Sequence, residues 1–366
     1  MEAHMFRKHK GKFAAGSRNR YQGSHTPQNP PKKKKIWQRV LLAILLILLA
    51  LIVAIVIFVI TSLNKINRVD PNQKRLSQEE YDQMLETDEL DPNATYPTVD
   101  ENDITFSTTP DGKIIGREEH IVNILLIGQD RREGEGRARS DSMILVSFNK
   151  NTNKITMASF LRDNYVQLPD GYLPNRLNAA YSIGGMEMLD ETLEMNFGVS
   201  IDANLEVDFS SFASIIDILG GVDIELTSAE ANHMNGENGW GLTSGVNRLD
   251  GEQALTYSRI RKLDSDFGRT NRQRNVLTSL FQSFKNIDLT QALGLINEIF
   301  PLLTTDMTNA EMLGYVTDLL PMLAKAELTS VHIPGDEDYY NATIRGMMVL
   351  VPDLDACRQV LAEALQ

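Results

Sequence analysis

The longest apolar run of the chain covers residues 40–60, where 21 consecutive side chains carry no polar group. As a helix rising about 1.5 Å per residue, this run would extend roughly 30 Å, the thickness of a bilayer's hydrocarbon core. A buried core helix is usually shorter and interrupted by polar positions, and the apolar region of a cleaved signal peptide spans only about 7–15 residues. We therefore predict one transmembrane signal anchor at residues 40–62.

Shorter apolar runs and amphipathic stretches alternate after residue 118. Continuous runs at 121–128, 142–148 and 154–160 predict buried strands. Further strands are predicted at 205–208, 222–226, 328–334 and 346–351, and helices at 176–197, 209–219, 250–257, 269–286, 289–303, 309–325 and from 353 onward. Because strands and helices do not alternate strictly, the pattern predicts an α/β fold with a mixed central sheet flanked by helices, an α-β-α sandwich preceded by one transmembrane helix.

Polar segments divide the remainder of the chain. Residues 1–39 are rich in Lys, Arg, Gly, Ser, Asn and Pro, which predicts a disordered cytoplasmic tail. Residues 63–118 are acidic and interrupted by proline, which predicts an extracytoplasmic stalk or accessory segment with a short helix from Ser77 and an edge strand. Residues 119–366 are then predicted to form one catalytic domain.

The net charge of −13 combines two opposed parts of the chain. Eleven Lys or Arg and one Glu give residues 1–39 a charge of +10, which leaves −23 for the remainder. Basic residues directly before the apolar run predict a cytoplasmic N-terminus and an extracytoplasmic domain, hence a single-pass protein of the cell membrane. The basic tail fits anionic lipid head groups better than nucleic acid, so no nucleic-acid partner is predicted.

Familiar catalytic signatures are missing from the sequence. It has no P-loop, no G-x-S-x-G, no HExxH and no dinucleotide fingerprint. The single cysteine, Cys357, excludes a disulfide framework, a Cys-rich zinc site and an iron–sulfur cluster. His120, His233 and His332 stand isolated, which disfavours a metal site built from imidazoles. Nucleophilic catalysis by Ser or Cys therefore has no support in the sequence.

Arginine, in contrast, is concentrated in two short windows. They hold 12 of the 17 arginines after residue 40, in a region whose net charge is −23. Arginine binds phosphate through a planar pair of donors, and its charge does not titrate away. Salt bridges to the abundant Asp and Glu are the alternative interpretation, which stays open for any single arginine. The residues are Arg131, Arg132, Arg137, Arg139, Arg162, Arg176, Arg248, Arg259, Arg261, Arg269, Arg272 and Arg274.

The spacing of the second window predicts that several of these side chains converge. Arg259 and Arg261 would point to one face if the chain is extended there. Arg269, Arg272 and Gln273 lie at the start of a predicted helix and would project together. Free backbone N–H groups and the helix dipole at such an N-terminus also favour an anion.

Two aspartates accompany the first window. Asp130 ends the first predicted strand, and Asp141 begins the next. Carboxylates at adjacent strand ends suit Mg²⁺, which takes hard oxygen ligands and completes its shell with substrate phosphate. Loop aspartates are usually turn residues, so the pair alone is weak support for a metal site. The neighbouring arginines strengthen that interpretation. A metal ion and guanidinium groups together suit phosphoryl transfer.

At these residues the chain closely resembles the LytR–CpsA–Psr family of Gram-positive bacteria. The resemblance covers about residues 121–285, and its last block is long and specific. The matching segments are NILLIGQD (123–130), RSDSMILVS (139–147), SFLRD (159–163), RLNAAYSIGG (176–185), VDFSSFASIIDILGGVDI (207–224) and LDGEQALTYSRIRKLDSDFGRTNRQRNVL (249–277).

The resemblance implies a phosphotransferase that moves a glycopolymer, such as teichoic acid or capsule, from a polyprenyl-pyrophosphate carrier to peptidoglycan. It also implies an apolar pocket for the polyprenyl chain and Mg²⁺ as cofactor, with Mn²⁺ as the alternative ion. Residue by residue, Asp130 and Asp141 match metal-linked aspartates, Asp266 matches an aspartate of the same site, and the pyrophosphate-binding positions are matched by Arg139, Arg162, Arg259, Arg261, Arg269 and Gln273. The resemblance points to Asp130, Asp141, Arg162 and Arg261 as the catalytic set.

Two departures from the family pattern are visible. Arg176 stands where the family often has Lys, and Phe160-Leu161 replaces the common Ile-Pro.

Two other functions also stay open. One is a non-catalytic receptor or transcriptional attenuator that binds polyprenyl phosphate, which would need the arginines but not Asp130 and Asp141. The other is a pyrophosphatase activity with water as acceptor.

Overall fold

The computed structural model describes residues 33–70, 74–87, 95–107, 109, 114–129, 137–261, 263, 266–284, 289–323 and 325–366. The first helix, α1 (Lys33–Leu63), covers the apolar run. Within the described residues, no helix combines the length and the apolar character needed to cross a membrane. The predicted membrane span therefore stays a prediction. Most of the predicted tail, residues 1–32, lies outside the described part.

The chain divides into two units, residues 1–56 and 57–366. The strands described in the second unit are β1 (Asn67–Arg68), β2 (Ile121–Gln129), β3 (Ser140–Asn149), β4 (Lys154–Phe160), β5 (Tyr165–Val166), β6 (Asn175–Arg176), β7 (Ala203–Asp208), β8 (Val222–Leu226), β9 (Gly245–Leu249), β10 (Thr304–Thr305), β11 (Glu327–Ile333), β12 (Tyr339–Ile344) and β13 (Met347–Pro352). The helices after α1 are α2 (Gln78–Thr87), α3 (Leu177–Phe197), α4 (Phe209–Ile218), α5 (Ser228–Asn238), α6 (Gly251–Ser258), α7 (Asp266–Phe284), α8 (Leu289–Ile299), α9 (Asn309–Leu323) and α10 (Leu354–Leu365).

Seven strands form a central mixed sheet in the order β1-β10-β7-β2-β3-β4-β11. β2 pairs antiparallel with β3 and parallel with β7, while β4 pairs antiparallel with β3 and parallel with β11. The apolar runs that predicted β2, β3 and β4 are almost entirely buried, as expected for strands covered on both faces. The predicted mixed central sheet is confirmed.

Helices cover both faces of this sheet, each over its own core. Leu125 and Leu145 face a core that includes residues of α3 and α10. Ile124 and Ile144, one position earlier on each strand, face a core that includes Met312 of α9. The two-residue repeat of the strands thus divides the apolar side chains between two helical layers. The fold is the predicted α-β-α sandwich.

Parts of the segment 63–118 pack into this body. Tyr81 of α2 is fully buried in the α3 core, and its hydroxyl donates to Leu173 O at 2.9 Å. The predicted capping at Ser77 forms, since Ser77 N donates to Glu80 Oε2 at 2.7 Å and Ser77 Oγ accepts from Glu80 N at 3.2 Å. β1 supplies the expected edge strand by pairing with β10.

A close contact between α4 and α6 sets the position of the second arginine window. A Cβ placed on Gly251, the first residue of α6, would lie 2.1 Å from Ala213 O and 2.6 Å from Ala213 C of α4. Rotation of a side chain cannot relieve a contact with backbone atoms. α6 can therefore approach α4 this closely only with glycine at this position.

We predict that Gly251→Ala lowers the free energy of unfolding by about 1–3 kcal/mol, because the added methyl group forces the two helices apart. The control is Gly314→Ala in α9, where a Cβ meets nothing within 4 Å. This change should be neutral or stabilise by at most about 1 kcal/mol through helix propensity. Chemical denaturation of both variants measures the difference. Equal stabilities would show that α4 and α6 are not in close contact.

Candidate active site

A narrow apolar cavity of about 120 Å³ lies between the central sheet and the helices α4, α6 and α7. The sheet contributes mainly aliphatic side chains, and α4 contributes two phenylalanine rings. Its lining residues are Leu126, Ile127, Gly128, Ser142, Ile144, Leu205, Val207, Phe209, Phe212, Leu255, Ser258, Gln273 and Leu277. We call this space the apolar cavity.

A polar space of about 610 Å³ adjoins it and shares Phe209, Ser258 and Gln273 with it. We call it the cationic cavity, because its described lining has four arginines and one aspartate. These are Arg162, Arg259, Arg261, Arg269 and Asp141, and His233 completes the charged or titratable set. Six of the residues predicted from the sequence, these five and Gln273, are therefore brought together.

A third space of about 680 Å³ lies on the other side of the arginines, and we call it the distal cavity. It shares Asp141, Arg162 and Arg261 with the cationic cavity and has no described lining residue in common with the apolar cavity. Its further lining includes Arg139 and Asp266, the two remaining predicted residues that are described. The cationic cavity thus lies between an apolar and a mixed compartment.

Arg162 stands at the centre of an ion-pair network. Its Nη1 donates to Asp141 Oδ1 at 2.6 Å. Its Nε lies 3.4 Å from Asp163 Oδ2 and 3.9 Å from Asp266 Oδ1. Arg261 Nη2 approaches the same Asp141 oxygen at 3.9 Å. Because four arginines line the cationic cavity against the single described aspartate, its positive charge is only partly offset.

Arg269 is the most deeply placed of these cations, with 3% of its surface exposed. Its Nη2 lies 2.7 Å from Asp266 Oδ1. Its Nε and Nη1, and also Nε of Arg162, have no hydrogen-bond acceptor among the described residues. A buried donor without a partner costs about 1–3 kcal/mol, more when charged. Arg269, whose only described ion pair is with Asp266, is therefore a candidate to bind an anionic ligand.

Burial also shifts the titration of this cluster. Desolvation raises the pKa of Asp266, and the nearby Arg269 opposes that rise. Desolvation lowers the pKa of Arg269 and of Arg139, although a guanidinium group stays charged at physiological pH. Where a cation is buried, as Arg269 is, the lower local dielectric strengthens its interaction with an anion.

The local structure at Arg259 and Arg261 differs from the prediction. Asp250 and Gln253 form a capping box, α6 runs to Ser258, and Arg259 ends the helix with φ −103° and ψ −2°. The condition of an extended chain is not met at Arg259, because the capped helix continues to this point. Both side chains still reach the cationic cavity, where the guanidinium carbon of Arg259 lies 4.5 Å from the centre of the Phe209 ring.

Several clustered arginines have structural contacts instead. Arg272 was expected to project with Arg269, but its Nε donates to Glu230 Oε1 of α5 at 2.7 Å and its Nη1 to Ile260 O. The cause is α5, a helix absent from the sequence prediction. The other structural contacts are Arg137 to Ile183 O, Arg248 to Asp223 and Arg274 to Val331 O. Arg131 and Arg132 lie outside the described residues.

Comparison with known proteins agrees with this geometry. The sequence matches the model of the LytR_cpsA_psr family over residues 78–364. The chain belongs to this family. It is 33% identical over 258 residues to the polyisoprenyl-teichoic acid–peptidoglycan teichoic acid transferase TagU of Oceanobacillus iheyensis, across 68% of this chain and 76% of that protein.

Solved structures of relatives share the fold of this family member. TagT bound to LIIa-WTA superposes with a TM-score of 0.56 at 25% identity, over 67% of this chain and 90% of that one. TagV of B. subtilis superposes with a TM-score of 0.54 at 26% identity, over 68% of this chain and 98% of that one. The shared part amounts to about two thirds of this chain.

The predicted metal pair is described only in part. Asp130 lies outside the described residues, although Gln129 before it pairs with Ser140, the neighbour of Asp141. The described part of the chain contains no group of three or more His, Cys, Asp or Glu arranged for a metal ion. A pair of carboxylates still fits Mg²⁺, which keeps most of its ligands as water and phosphate oxygens.

Several cavity residues were missed at the level of sequence. His233 lines the cationic cavity from α5, which could have been found from the capping box that Thr227 and Glu230 form. The distal cavity takes Tyr96 and Tyr339 from segments more than two hundred residues apart, and no local pattern marks them.

We predict that Arg269→Lys weakens the binding of inorganic pyrophosphate about tenfold, because a lysine cannot replace the fixed fork of donors. Arg274→Lys is the matched control. Arg274 lies on the same helix and is also buried, but it bonds to Val331 O and Asn271 and lines none of the three cavities. Calorimetric titration measures both. Equal losses of affinity in the two variants would place the anion elsewhere.

Proposed function

We propose that this protein transfers a glycopolymer from a polyprenyl-pyrophosphate carrier to peptidoglycan. The observation that carries the proposal is the set of buried guanidinium donors without acceptors in a cavity that adjoins an apolar one. A ligand with an apolar chain next to a pyrophosphate matches that order. The names of relatives agree, since one is a teichoic acid transferase and another was solved as TagT bound to LIIa-WTA.

Each cavity then receives one part of the donor. The apolar cavity takes the part of the polyprenyl chain next to the phosphates, since nearly all of its lining is aliphatic or aromatic. The cationic cavity takes the pyrophosphate, with Arg162, Arg261 and Arg269 as its main contacts. Gln273 and Ser258 lie at the junction, where the chain meets the first phosphate.

Chemistry would proceed by direct displacement. A sugar hydroxyl of peptidoglycan attacks the phosphorus that carries the glycan and loses its proton to water. The bond from that phosphorus to the bridging oxygen breaks, and polyprenyl monophosphate leaves. The arginines neutralise the charge that collects on the leaving phosphate. No covalent enzyme intermediate is required, and the sequence carries no signature of nucleophilic Ser or Cys catalysis.

We also propose that Asp130 and Asp141 hold Mg²⁺, with Mn²⁺ as the alternative ion. Such an ion would neutralise charge on the pyrophosphate when bound. The described contacts of Asp141 fall on its Oδ1, from Arg162 and Arg261. A requirement for Asp130 and Asp141 distinguishes an enzyme from a receptor, because anion binding alone needs only the arginines.

Residues 40–62 are proposed to anchor the protein in the cell membrane, with the basic tail in the cytoplasm and the catalytic domain outside. The support is the run of 21 apolar side chains and the lysines that precede it. An anchored domain meets a lipid-borne donor at a raised effective concentration.

We predict that Arg261→Ala lowers transfer at least about 100-fold, the usual cost of removing one group that stabilises charge in the transition state. The assay supplies a polyprenyl-pyrophosphate glycan, peptidoglycan and Mg²⁺ to the full chain. Arg248→Ala serves as control, since Arg248 is exposed and contacts Asp223 and Gly220 O. Donor binding without any transfer by wild type would favour the receptor, and equal transfer by both variants would contradict the proposed site.

A further inference from the structure

The distal cavity has a different charge balance from the cationic cavity. Its described lining has four arginines against three aspartates, whereas the cationic cavity has four against one. Arg176 already has partners within the protein, since its Nη2 donates to Met348 O at 2.8 Å and its Nε lies 3.6 Å from Asp163 Oδ1. A second polyanion would gain little here. The balance suits a ligand that is rich in hydroxyl groups and close to neutral.

Aromatic rings form one wall of this cavity. The rings of Phe267 and Tyr339 lie 5.4 Å apart with an angle of 32° between their planes. His332 packs edge-on against Phe267 at 5.0 Å and 77°, which fixes that ring from behind. Tyr96 adds a third aromatic side chain to the lining. Flat aromatic faces beside polar groups bind the C–H face of a pyranose ring while its hydroxyls reach polar neighbours.

A buried amide supplies the hydrogen-bonding partner. Asn178, at the start of α3, lines the cavity and is 4% exposed. Its backbone N–H donates to Arg162 O at 3.2 Å, which ties its position to the ion-pair network. Its side-chain Oδ1 is buried and has no hydrogen-bond donor among the described residues. Such an acceptor is costly unless a ligand donates to it, as a sugar hydroxyl or an acetamido N–H would.

We propose that the distal cavity is a sugar subsite, in which Tyr339 and Phe267 stack on a pyranose ring and Asn178 and Asn341 bond to its substituents. The subsite rests on the proposed transfer reaction, and it receives either the donor sugar next to the pyrophosphate or the acceptor sugar of peptidoglycan. Either sugar would lie next to the pyrophosphate at Asp141, Arg162 and Arg261, the residues that line both polar cavities.

Neighbouring residues of β12 allow a matched test in the full chain. Tyr339 and Asn341 line the cavity, while Tyr340 between them is 51% exposed and absent from its lining. The variants are Tyr339→Ala, Asn341→Ala and the control Tyr340→Ala, with Tyr339→Phe to keep the ring. The probes are a polyprenyl pyrophosphate without sugar, the same lipid carrying a disaccharide, and peptidoglycan at varied concentration.

If the donor sugar occupies the subsite, Tyr339→Ala weakens binding of the sugar-bearing lipid at least about tenfold and leaves the bare lipid unchanged. If the acceptor occupies it, Tyr339→Ala raises the KM for peptidoglycan by about the same factor, with both lipid affinities unchanged. Asn341→Ala should act in the same direction, and Tyr339→Phe should keep most of the affinity.

Two outcomes separate failure of the subsite from failure of the proposed function. Wild type that binds and transfers normally, with Tyr339→Ala and Asn341→Ala indistinguishable from Tyr340→Ala, would overturn the sugar subsite alone. Wild type that does not bind the bare lipid pyrophosphate would overturn the proposed function itself. Thermal unfolding of each variant shows whether a loss of binding or activity comes from a destabilised fold. Asn341 is exposed, so Asn341→Ala is the variant whose fold should be least affected.

Discussion

The site depends on holding several guanidinium groups close together, with those of Arg162 and Arg269 mostly buried. Like charges repel strongly at low dielectric, so such a cluster must be offset or it would open the fold. Asp141 and Asp266 provide only part of the offset, since Arg162 and Arg261 converge on one oxygen of Asp141 and Arg269 keeps two donors without acceptors among the described residues. The remaining offset is left to the ligand. If the proposed function holds, an anionic ligand would stabilise this cluster by supplying the missing negative charge.

Strand register places the central pair. Met143 of β3 pairs with Phe160 of β4, and continuing the antiparallel register two residues further sets Asp141 opposite Arg162. Their 2.6 Å hydrogen bond is thus a cross-strand pair just beyond the end of the ladder. α7 then brings Asp266, Arg269 and Gln273 over the same edge of the sheet, one turn apart. The apolar sheet and its two cores provide the rigid support that a cluster of like charges requires.

This dependence explains what could be predicted from sequence and what could not. Runs such as 121–128 are buried on both faces, so composition alone identifies the strand, and the surplus of arginine identifies an anion site. Whether a given arginine binds a ligand or another part of the protein depends on which residues the fold places beside it. Arg272 lies three residues after Arg269 in sequence, but it turns to Glu230 of α5 and away from the cationic cavity. Tyr96, Asn178 and Tyr339 come together only through the packing of distant segments, which no local pattern records.

The order of the three cavities bears on the reaction itself. The apolar and distal cavities have no described lining residue in common, and each shares three with the cationic cavity between them. A donor that is apolar at one end and glycosidic at the other can therefore lie across the cations in one direction only. In the proposed reaction, the phosphorus bearing the glycan would then lie near Arg162 and Arg261, which line both the cationic and the distal cavity. An acceptor hydroxyl that reached this phosphorus from the distal side would attack in line with the leaving phosphate, as the proposed direct displacement requires.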